Sequence, residues 1–171
     1  MNTIRRGLLL CLLLAATAGC DRVTKHLAVT TLAGSPSQSF LADTLRLDYH
    51  ENPGAFLGVG STWQPEIRSG LFLIGNALFL LGTAGVAIRF KWSRLAKVGL
   101  VLFLAGGASN LIDRVAFGSV IDFLNVGLGQ FRTGIFNVAD VAIMAGVAML
   151  LFEGYRSQRS CTQLSAGTSL S

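Results

Sequence analysis

Two aspartates with apolar neighbours are the residues of this sequence most suited to chemistry. Asp122 stands in "VIDF" and Asp140 in "FNVAD", and neither has a basic residue beside it in the sequence. Asn137 precedes Asp140 by three positions, so the two share one helical face. Two carboxylates that lie close together can share a proton, so that one activates water while the other acts as an acid. The pair therefore points to hydrolysis.

Further polar residues recur at helical spacing within apolar surroundings. Asn110, Asp113 and Arg114 of "NLIDR" lie three and four positions apart, and Asp21 and Lys25 of "DRVTK" lie four apart. An ionised side chain at the centre of a bilayer costs about 2.5–3.5 kcal/mol, so such groups normally face a protein interior or water. Each set also has a purely structural interpretation, as ion pairs that hold helix ends together.

The remaining polar residues are assigned no chemistry. Asn76 is interpreted as an interhelical hydrogen-bonding residue, and the acidic residues Asp43, Asp48 and Glu51 are interpreted as solvated loop charges. The three cysteines, at positions 11, 20 and 161, lack the spacing of metal ligands or of a disulfide framework. We therefore expect neither a metal nor another cofactor.

The elements that must position these residues are membrane helices. The chain is 51% hydrophobic and 13% charged, whereas a soluble domain usually carries about 25% charged residues. A run of about 20 apolar residues is long enough to cross a bilayer. The sequence predicts a single membrane domain over 1–153, mainly α-helical, followed by a polar tail over 154–171 that we expect to be disordered. The four predicted spans are 7–29, 67–88, 98–117 and 134–153.

The basic residues predict the orientation in the membrane. They concentrate at 5–6, 89–97 and 156–159, whereas eight of the nine acidic residues fall on the other side. The positive-inside rule then places both termini in the cytoplasm and the polar clusters near the outer face. The net charge of +5 reflects this asymmetry, so we expect no nucleic-acid binding.

The two predicted outer loops, 30–66 and 118–133, differ in pattern. In the first, the composition of 34–39 predicts a turn or loop. Residues 44–50 alternate apolar and polar, the period of a half-buried strand, and 55–60 would continue as a second, more apolar piece after the turn at "NPG". We expect a small β-element at the outer membrane surface.

Five short motifs, in their order and spacing, resemble the lipoprotein signal peptidases (signal peptidase II). The motifs are "DRVTK" (21–25), "NPGAF" (52–56), "NLIDR" (110–114), "VIDF" (120–123) and "FNVAD" (136–140). The resemblance covers roughly residues 5–153. It implies a four-helix aspartyl protease of the bacterial inner membrane with an extracytoplasmic β-cradle. Such an enzyme cleaves diacylglyceryl-modified prolipoproteins before the lipid-bearing cysteine.

The resemblance also implies roles for residues. The catalytic pair falls on Asp122 and Asp140. Positions that would bind substrate or support the site are Asp21, Lys25, Asn52, Gly54, Asn110, Asp113, Arg114 and Asn137. The sequence departs from the family pattern in two places, because "NPGAF" has one alanine where two are common and Ser109 stands where glycine is more frequent.

The N-terminal segment has two interpretations. Its two arginines, apolar run and "TAGC" resemble a lipoprotein signal peptide with Cys20 as the modified residue. Thr17, however, stands where a leucine is usual before such a cysteine. Asp21 and Lys25 moreover continue a motif that the other helices complete. We therefore expect an uncleaved first helix.

Three other functions use the same residues differently. A small transporter or ion-conducting subunit would spread polar groups across the depth of the membrane. A structural subunit would use them only to pair helices, and a metal hydrolase would bind Mg or Ca through the clustered oxygens. The peptidase interpretation expects diacylated prolipoproteins and membrane lipids as partners, and a monomer.

Overall fold

The computed structural model describes residues 3–54 and 64–168. These residues contain four long helices, α1 (Thr3–Leu32), α2 (Pro65–Arg89), α3 (Arg94–Phe117) and α4 (Val138–Thr168). Two short strands follow α1 and two more follow α3. All four helices are long and apolar enough to cross a membrane, over Ile4–Leu32, Gly70–Arg89, Arg94–Phe117 and Val138–Arg159. Large apolar side chains on their outer faces, such as Leu12, Leu78 and Leu151, are exposed, as a lipid-facing surface requires. The predicted membrane fold is confirmed.

Helix α3 is the centre of the bundle and contacts the other three helices. Small residues allow this, because a Cβ atom added at Gly106 would lie 2.4 Å from the backbone oxygen of Ala139. The helix ends at Gly118, whose φ of 73° is left-handed and whose N–H donates to the Arg114 carbonyl. Glycine is the residue that adopts this conformation without steric cost. The absence of a side chain at Gly106 thus allows α3 and α4 to come into close backbone contact.

The strands form one antiparallel sheet at the end of the bundle near Leu32. Their order is β1 (Gln38–Phe40), β2 (Leu45–Asn52), β3 (Val120–Leu128) and β4 (Phe131–Arg132). The pairing of β2 with β3 sets Asn52 opposite Val120. Sheet and helix share a core in which Ile121 and Phe123 of β3 pack with Ala28 and Leu32 of α1. The predicted β-element is confirmed, and β2 is its half-buried strand.

Some local expectations were wrong. Residues 118–133 are not simply a loop, since they contain β3 and β4. The turn or loop predicted at 34–39 is present, and β1 begins at its last two residues, Gln38 and Ser39. The start of β3 is buried on both faces, so it lacks the alternation that reveals a half-buried strand. Helix α4 continues to Thr168, through the tail expected to be disordered. The predicted piece over 55–60 lies outside the described residues.

Asp43 is not a freely solvated charge. Its carboxylate accepts hydrogen bonds from Ser39 and from Arg46, at 2.8 and 2.6 Å, and Arg132 donates to its backbone oxygen. The hydrogen bonds from Arg46 and Ser39 hold the pKa of the Asp43 carboxyl well below its usual range. Asp43 therefore fastens the outer edge of the sheet, joining the β1–β2 turn to β4.

Candidate active site

Asp122 lies on β3 between two asparagine amides. Asn52, at the end of β2, donates to Oδ2 at 2.9 Å, and Asn137 donates to Oδ1 at 2.6 Å. Only 1% of the Asp122 surface is exposed. Burial raises the pKa of this carboxyl to about 6, and the nearby charge of Asp140 adds to the rise, while the amides of Asn52 and Asn137 oppose it. Asp122 therefore keeps its proton to a higher pH than an ordinary carboxyl, up to about pH 6.

Asp140 is held by the first turn of α4. The Asn137 side chain accepts from the backbone N–H of Asp140 at 2.9 Å, and the Asp140 carboxylate accepts in return from the N–H of Asn137 at 3.2 Å. This reciprocal pair is a capping box, which satisfies two otherwise free N–H groups at a helix start. Asn110 of α3 also donates to Asp140 Oδ1 at 2.9 Å. The carboxylate is therefore fixed by its own helix and by α3.

Asn137 connects the two carboxylates. Its side-chain oxygen caps the N–H of Asp140 while its Nδ2 donates to Asp122, at 2.9 and 2.6 Å respectively. The same Nδ2 lies 3.3 Å from the side-chain oxygen of Asn110, and Asn137 is fully buried. One amide thus spans β3 and α4 and holds both carboxylates in a common frame.

A buried ion cluster supports this frame from α1. Lys25 Nζ lies 2.7 Å from both Asp21 and Asp113 and donates to Asn110 at 2.8 Å. Asp21 in turn accepts from the backbone N–H of Ala139, in the first turn of α4, at 2.8 Å. A carboxylate at a helix N-terminus is favoured by the helix dipole. The cluster therefore links α1 and α3 to the turn that carries Asp140.

Two members of this cluster were missed from the sequence. Arg22 donates to Asp113 and, at 3.3 Å, to the backbone oxygen of Ser109. The Ser109 hydroxyl donates to Asp21 Oδ2 at 2.6 Å and is 1% exposed. Arg22 lies inside "DRVTK", so its basic side chain next to Asp21 was a usable signal. In the sequence, Ser109 differs from the family pattern but carries no sign of this contact.

Arg114 fastens the "NPG" turn to the end of α3. Its Nη2 donates to the backbone oxygen of Gly54 at 2.8 Å, and its Nη1 donates to the backbone oxygen of Asn110 at 3.2 Å. The turn itself is closed by the Gly54 N–H, which donates to the Asn52 side chain at 3.0 Å. Arg114 therefore indirectly positions the amide that holds Asp122. Of the "NPGAF" motif, residues 55 and 56 lie outside the described residues.

An apolar cavity of about 520 Å³ opens onto the two carboxylates. Helices α2, α3 and α4 supply its apolar walls, whereas its polar end brings together residues from β2, α3, β3 and α4. The apolar wall includes Phe72, Phe79, Leu80, Phe103 and Met144, and the polar end comprises Asn52, Asn110, Arg114, Asp122 and Asp140. Asn76 also lines the cavity. Every predicted site residue thus lies either at this polar end or in the network behind it.

The membrane helices and the carboxylate pair at the end of an apolar cavity define a class, the multi-pass membrane proteins with a polar site inside the helix bundle. Residues 13–156 match the family model described as Signal peptidase (SPase) II. The chain belongs to the signal peptidase II family. This confirms the resemblance inferred from the five motifs, and it makes the protein a bacterial membrane protease of lipoprotein processing.

Individual relatives agree with this assignment. A lipoprotein signal peptidase of Desulforapulum autotrophicum is 35% identical over 153 residues, covering 89% of this chain and 94% of that protein. One from Geobacter metallireducens is 37% identical over 143 residues, covering 81% and 85%. A solved structure described as a bacterial membrane enzyme, determined by the in meso method at 1.9 Å, superposes with a TM-score of 0.74 at 25% identity, covering 85% of this chain and 91% of that one. A second structure of that description, at 2.3 Å, has a TM-score of 0.75 at 24% identity, covering 88% and 89%, and is similar in fold.

Proposed function

We propose that this protein is an aspartyl endopeptidase that removes signal peptides from diacylglyceryl-modified prolipoproteins, with Asp122 and Asp140 as its catalytic pair. The observation that carries the proposal is the placement of two buried carboxylates, linked through Asn137, at the polar end of an apolar cavity. The apolar walls suit the acyl chains and the apolar signal segment of such a substrate. The carboxylates would then lie at the peptide bond before the modified cysteine.

Charge balance supports a pair that holds one proton. In the cluster behind the site, Arg22 and Lys25 balance Asp21 and Asp113. Among the described residues that line the cavity, Arg114 is the one remaining cation. One positive charge balances one ionised carboxylate, so the second is best kept protonated. Asp140 lies in the first turn of α4, where the helix dipole favours an ionised carboxylate, so we assign the proton to Asp122, whose pKa burial raises to about 6.

The proposed reaction uses the pair as base and acid. Asp140 takes a proton from water as the water oxygen attacks the scissile carbonyl, while Asp122 donates its proton to the carbonyl oxygen. The tetrahedral diol then collapses, the C–N bond breaks, and the proton held by Asp140 passes to the leaving amine of the cysteine. Asp122 recovers its proton from the diol hydroxyl. The products are the free signal peptide and a diacylated protein with a new N-terminus.

The supporting residues have positioning roles in this proposal. Asn52, Asn110 and Asn137 hold the two carboxylates, Arg114 and Gly54 hold the turn beside them, and Asp21, Lys25 and Asp113 tie the helices together. We also propose that both termini face the cytoplasm and that the pair lies near the outer surface of the inner membrane. Eight of the 14 basic residues, but only one of the nine acidic residues, fall in the segments 5–6, 89–97 and 153–159 at the opposite end of the bundle. The first helix then remains uncleaved, since Asp21 and Lys25 are buried in the network.

The test is cleavage of a synthetic prolipoprotein peptide by the purified protein in lipid nanodiscs. We expect the diacylglyceryl-modified peptide to be shortened at the cysteine and its unmodified version to be cleaved far more slowly. Activity should survive a chelator of divalent metal ions and should be retained by Asp48→Asn, an Asp-to-Asn change in the outer sheet. Equal cleavage of both peptides would contradict the proposed substrate. Absence of any cleavage of the modified peptide would favour a transporter or a structural subunit.

A further inference from the structure

A second cavity lies between α2, α3 and α4 at the end of the bundle opposite the carboxylate pair. Its volume is about 790 Å³, and Glu153 of α4 lies on its wall. At a rise of 1.5 Å per residue, Glu153 is about 20 Å along α4 from Asp140. Phe79 lines both cavities and packs edge-on against Phe103, with 5.8 Å between the ring centroids. The two cavities are therefore separate compartments of one groove.

Two charged groups of this second cavity have no ion-pair partner. Lys91 and Glu153 line the cavity, and within the described part of the chain neither forms an ion pair. Trp92 also lines the cavity, and its Nε1–H is shielded from solvent, so the indole can report on the cavity without bonding a ligand. The cavity thus offers one cation and one carboxylate to a ligand.

The arrangement of these groups separates the donor from the acceptor. Lys91 lies two residues before Ser93, which caps the first turn of α3, so the positive end of the α3 dipole adds to the charge of Lys91. Glu153 approaches from α4. Away from these groups the wall is apolar and includes Leu78, Leu100 and Leu150. The cavity is therefore amphipathic: Lys91 supplies a positive charge, Glu153 supplies a negative charge, and the leucine-lined part of the wall is apolar.

We propose that this cavity binds a membrane phospholipid whose headgroup carries a phosphate and a primary ammonium, as in phosphatidylethanolamine. The phosphate would accept from Lys91, and the ammonium would donate to Glu153. One acyl chain would follow the apolar wall toward Phe79. A purely anionic headgroup would be repelled by the carboxylate of Glu153. A quaternary ammonium, as in a choline headgroup, has no N–H to donate to that carboxylate. This lipid would belong to the leaflet opposite the carboxylate pair, so the site lies outside the proposed peptidase reaction.

The experiment uses Trp92 as its own reporter. The chain has two tryptophans, so a Trp63→Phe background leaves Trp92 alone. The protein is reconstituted in phosphatidylcholine vesicles that contain rising mole fractions of a phosphatidylethanolamine, or of a phosphatidylcholine, brominated in the upper part of one acyl chain. We expect the ethanolamine lipid to quench Trp92 with a relative affinity about tenfold or more above that of the choline lipid, as one charge-assisted hydrogen bond would give.

Matched variants assign the headgroup contacts. Glu153→Gln should abolish the preference for ethanolamine over choline, and Lys91→Gln should weaken the binding of both lipids. Lys97→Gln removes the same charge from the same stretch, at an exposed position outside the cavity, and should behave as the parent. Equal quenching by both lipids in the parent, in proportion to their mole fractions, would overturn the proposal.

A second measurement covers the case in which a variant loses helical content. Native mass spectrometry of the unaltered protein, released from nanodiscs that contain equal amounts of the two lipids, should retain the ethanolamine lipid. Equal retention of the two lipids would also overturn the proposal.

Discussion

The crossing of α3 with α4 and the contact of α2 with α3 are two different kinds of helix packing in one molecule. At the first, a Cβ added at Gly106 would lie 2.4 Å from the Ala139 oxygen, and one at Gly146 would lie 2.5 Å from the Gly99 oxygen. Along α2, by contrast, added Cβ atoms at Gly75 and Gly85 would meet nothing within 4 Å. In the most apolar stretch of α3 44% of residues are buried, against 6% in α2.

This difference separates the two tasks of the site. Acid–base chemistry requires carboxylates held to within about half an ångström, and the α3–α4 crossing with its amide network provides that. An apolar cavity for a long substrate instead needs a wall that is free of tight backbone contacts, and α2 provides it. The following predictions test the comparison, from the largest expected effect to the smallest.

Removing either carboxylate should abolish most activity. Asp122→Asn and Asp140→Asn each remove a titrating group, and a positioned acid or base contributes about 10²–10⁴-fold, so the cleavage rate should fall by at least that factor. The double variant should be little slower than either single one, since both groups act in one step. The measurement is the rate at which each single variant and the double variant cleave the diacylated peptide. A variant that inserts normally and cleaves at the parent rate would refute the catalytic pair.

Arg114→Lys should lose activity although it keeps the charge. Lysine has no paired planar donors, so it cannot bond the Gly54 and Asn110 oxygens together as Arg114 does. Hydrogen bonds from charged groups are worth about 1.5–3 kcal/mol, which corresponds to roughly a tenfold to hundredfold slower cleavage. Arg46→Lys, on the far side of the sheet, is the control. Full activity of the Arg114 variant would mean that charge alone matters there.

The two helix contacts should respond oppositely to the same substitution. Gly106→Ala forces α3 away from the Ala139 backbone and should lower the free energy of unfolding by about 1–3 kcal/mol. Gly85→Ala has open space around it and gains helix propensity, so it should be neutral or stabilising by up to about 1 kcal/mol. Thermal unfolding in one detergent compares them. Equal destabilisation by both would show that α2 is as tightly packed as α4.

The pH dependence should report the environment of Asp122. If Asp122 is the acid, it must be protonated, so kcat/KM should fall as pH rises through about 6, the pKa to which burial raises this group. The pair titrates as a unit, so the midpoint belongs to both groups. Because the Asn52 amide lowers the pKa of Asp122, Asn52→Ala should shift the falling limb to higher pH by up to about one unit. Asn125→Ala, elsewhere on β3, should leave the limb in place. A downward shift with Asn52→Ala would exclude Asp122 as the acid.

Part of the site could be predicted because its signals are local. The spacing of Asp21 and Lys25 indicated a shared helical face, and the structure joins them at 2.7 Å. The three-residue spacing of Asn137 and Asp140 was also informative, although it was interpreted as one helical face. It is a capping box, since α4 begins at Val138. A span predicted to begin at 134 placed both residues inside the helix and thereby hid the cap.

Other parts could not be predicted because they depend on contacts between distant segments. Asp113 pairs with Lys25 and Arg22 of α1, whereas its sequence neighbour Arg114 turns to Gly54. Asp122 was expected in a loop, and it lies instead on a strand buried on both faces, where alternation carries no signal. Nothing in the sequence around Asn52 indicates that its amide meets a carboxylate 70 positions later.

By itself the sequence determined that four apolar segments form membrane helices, because lipid leaves no alternative partner for their backbone groups. It also determined the residue types from which an acid–base pair could be built, and small residues where two helices must approach. The tertiary structure alone decided which amide holds which carboxylate, and it alone placed Ser109 and Arg22 in the ion cluster. A hydrogen bond requires atoms within about 3 Å in a suitable orientation. For residues on different helices and strands, packing of the whole chain sets that distance.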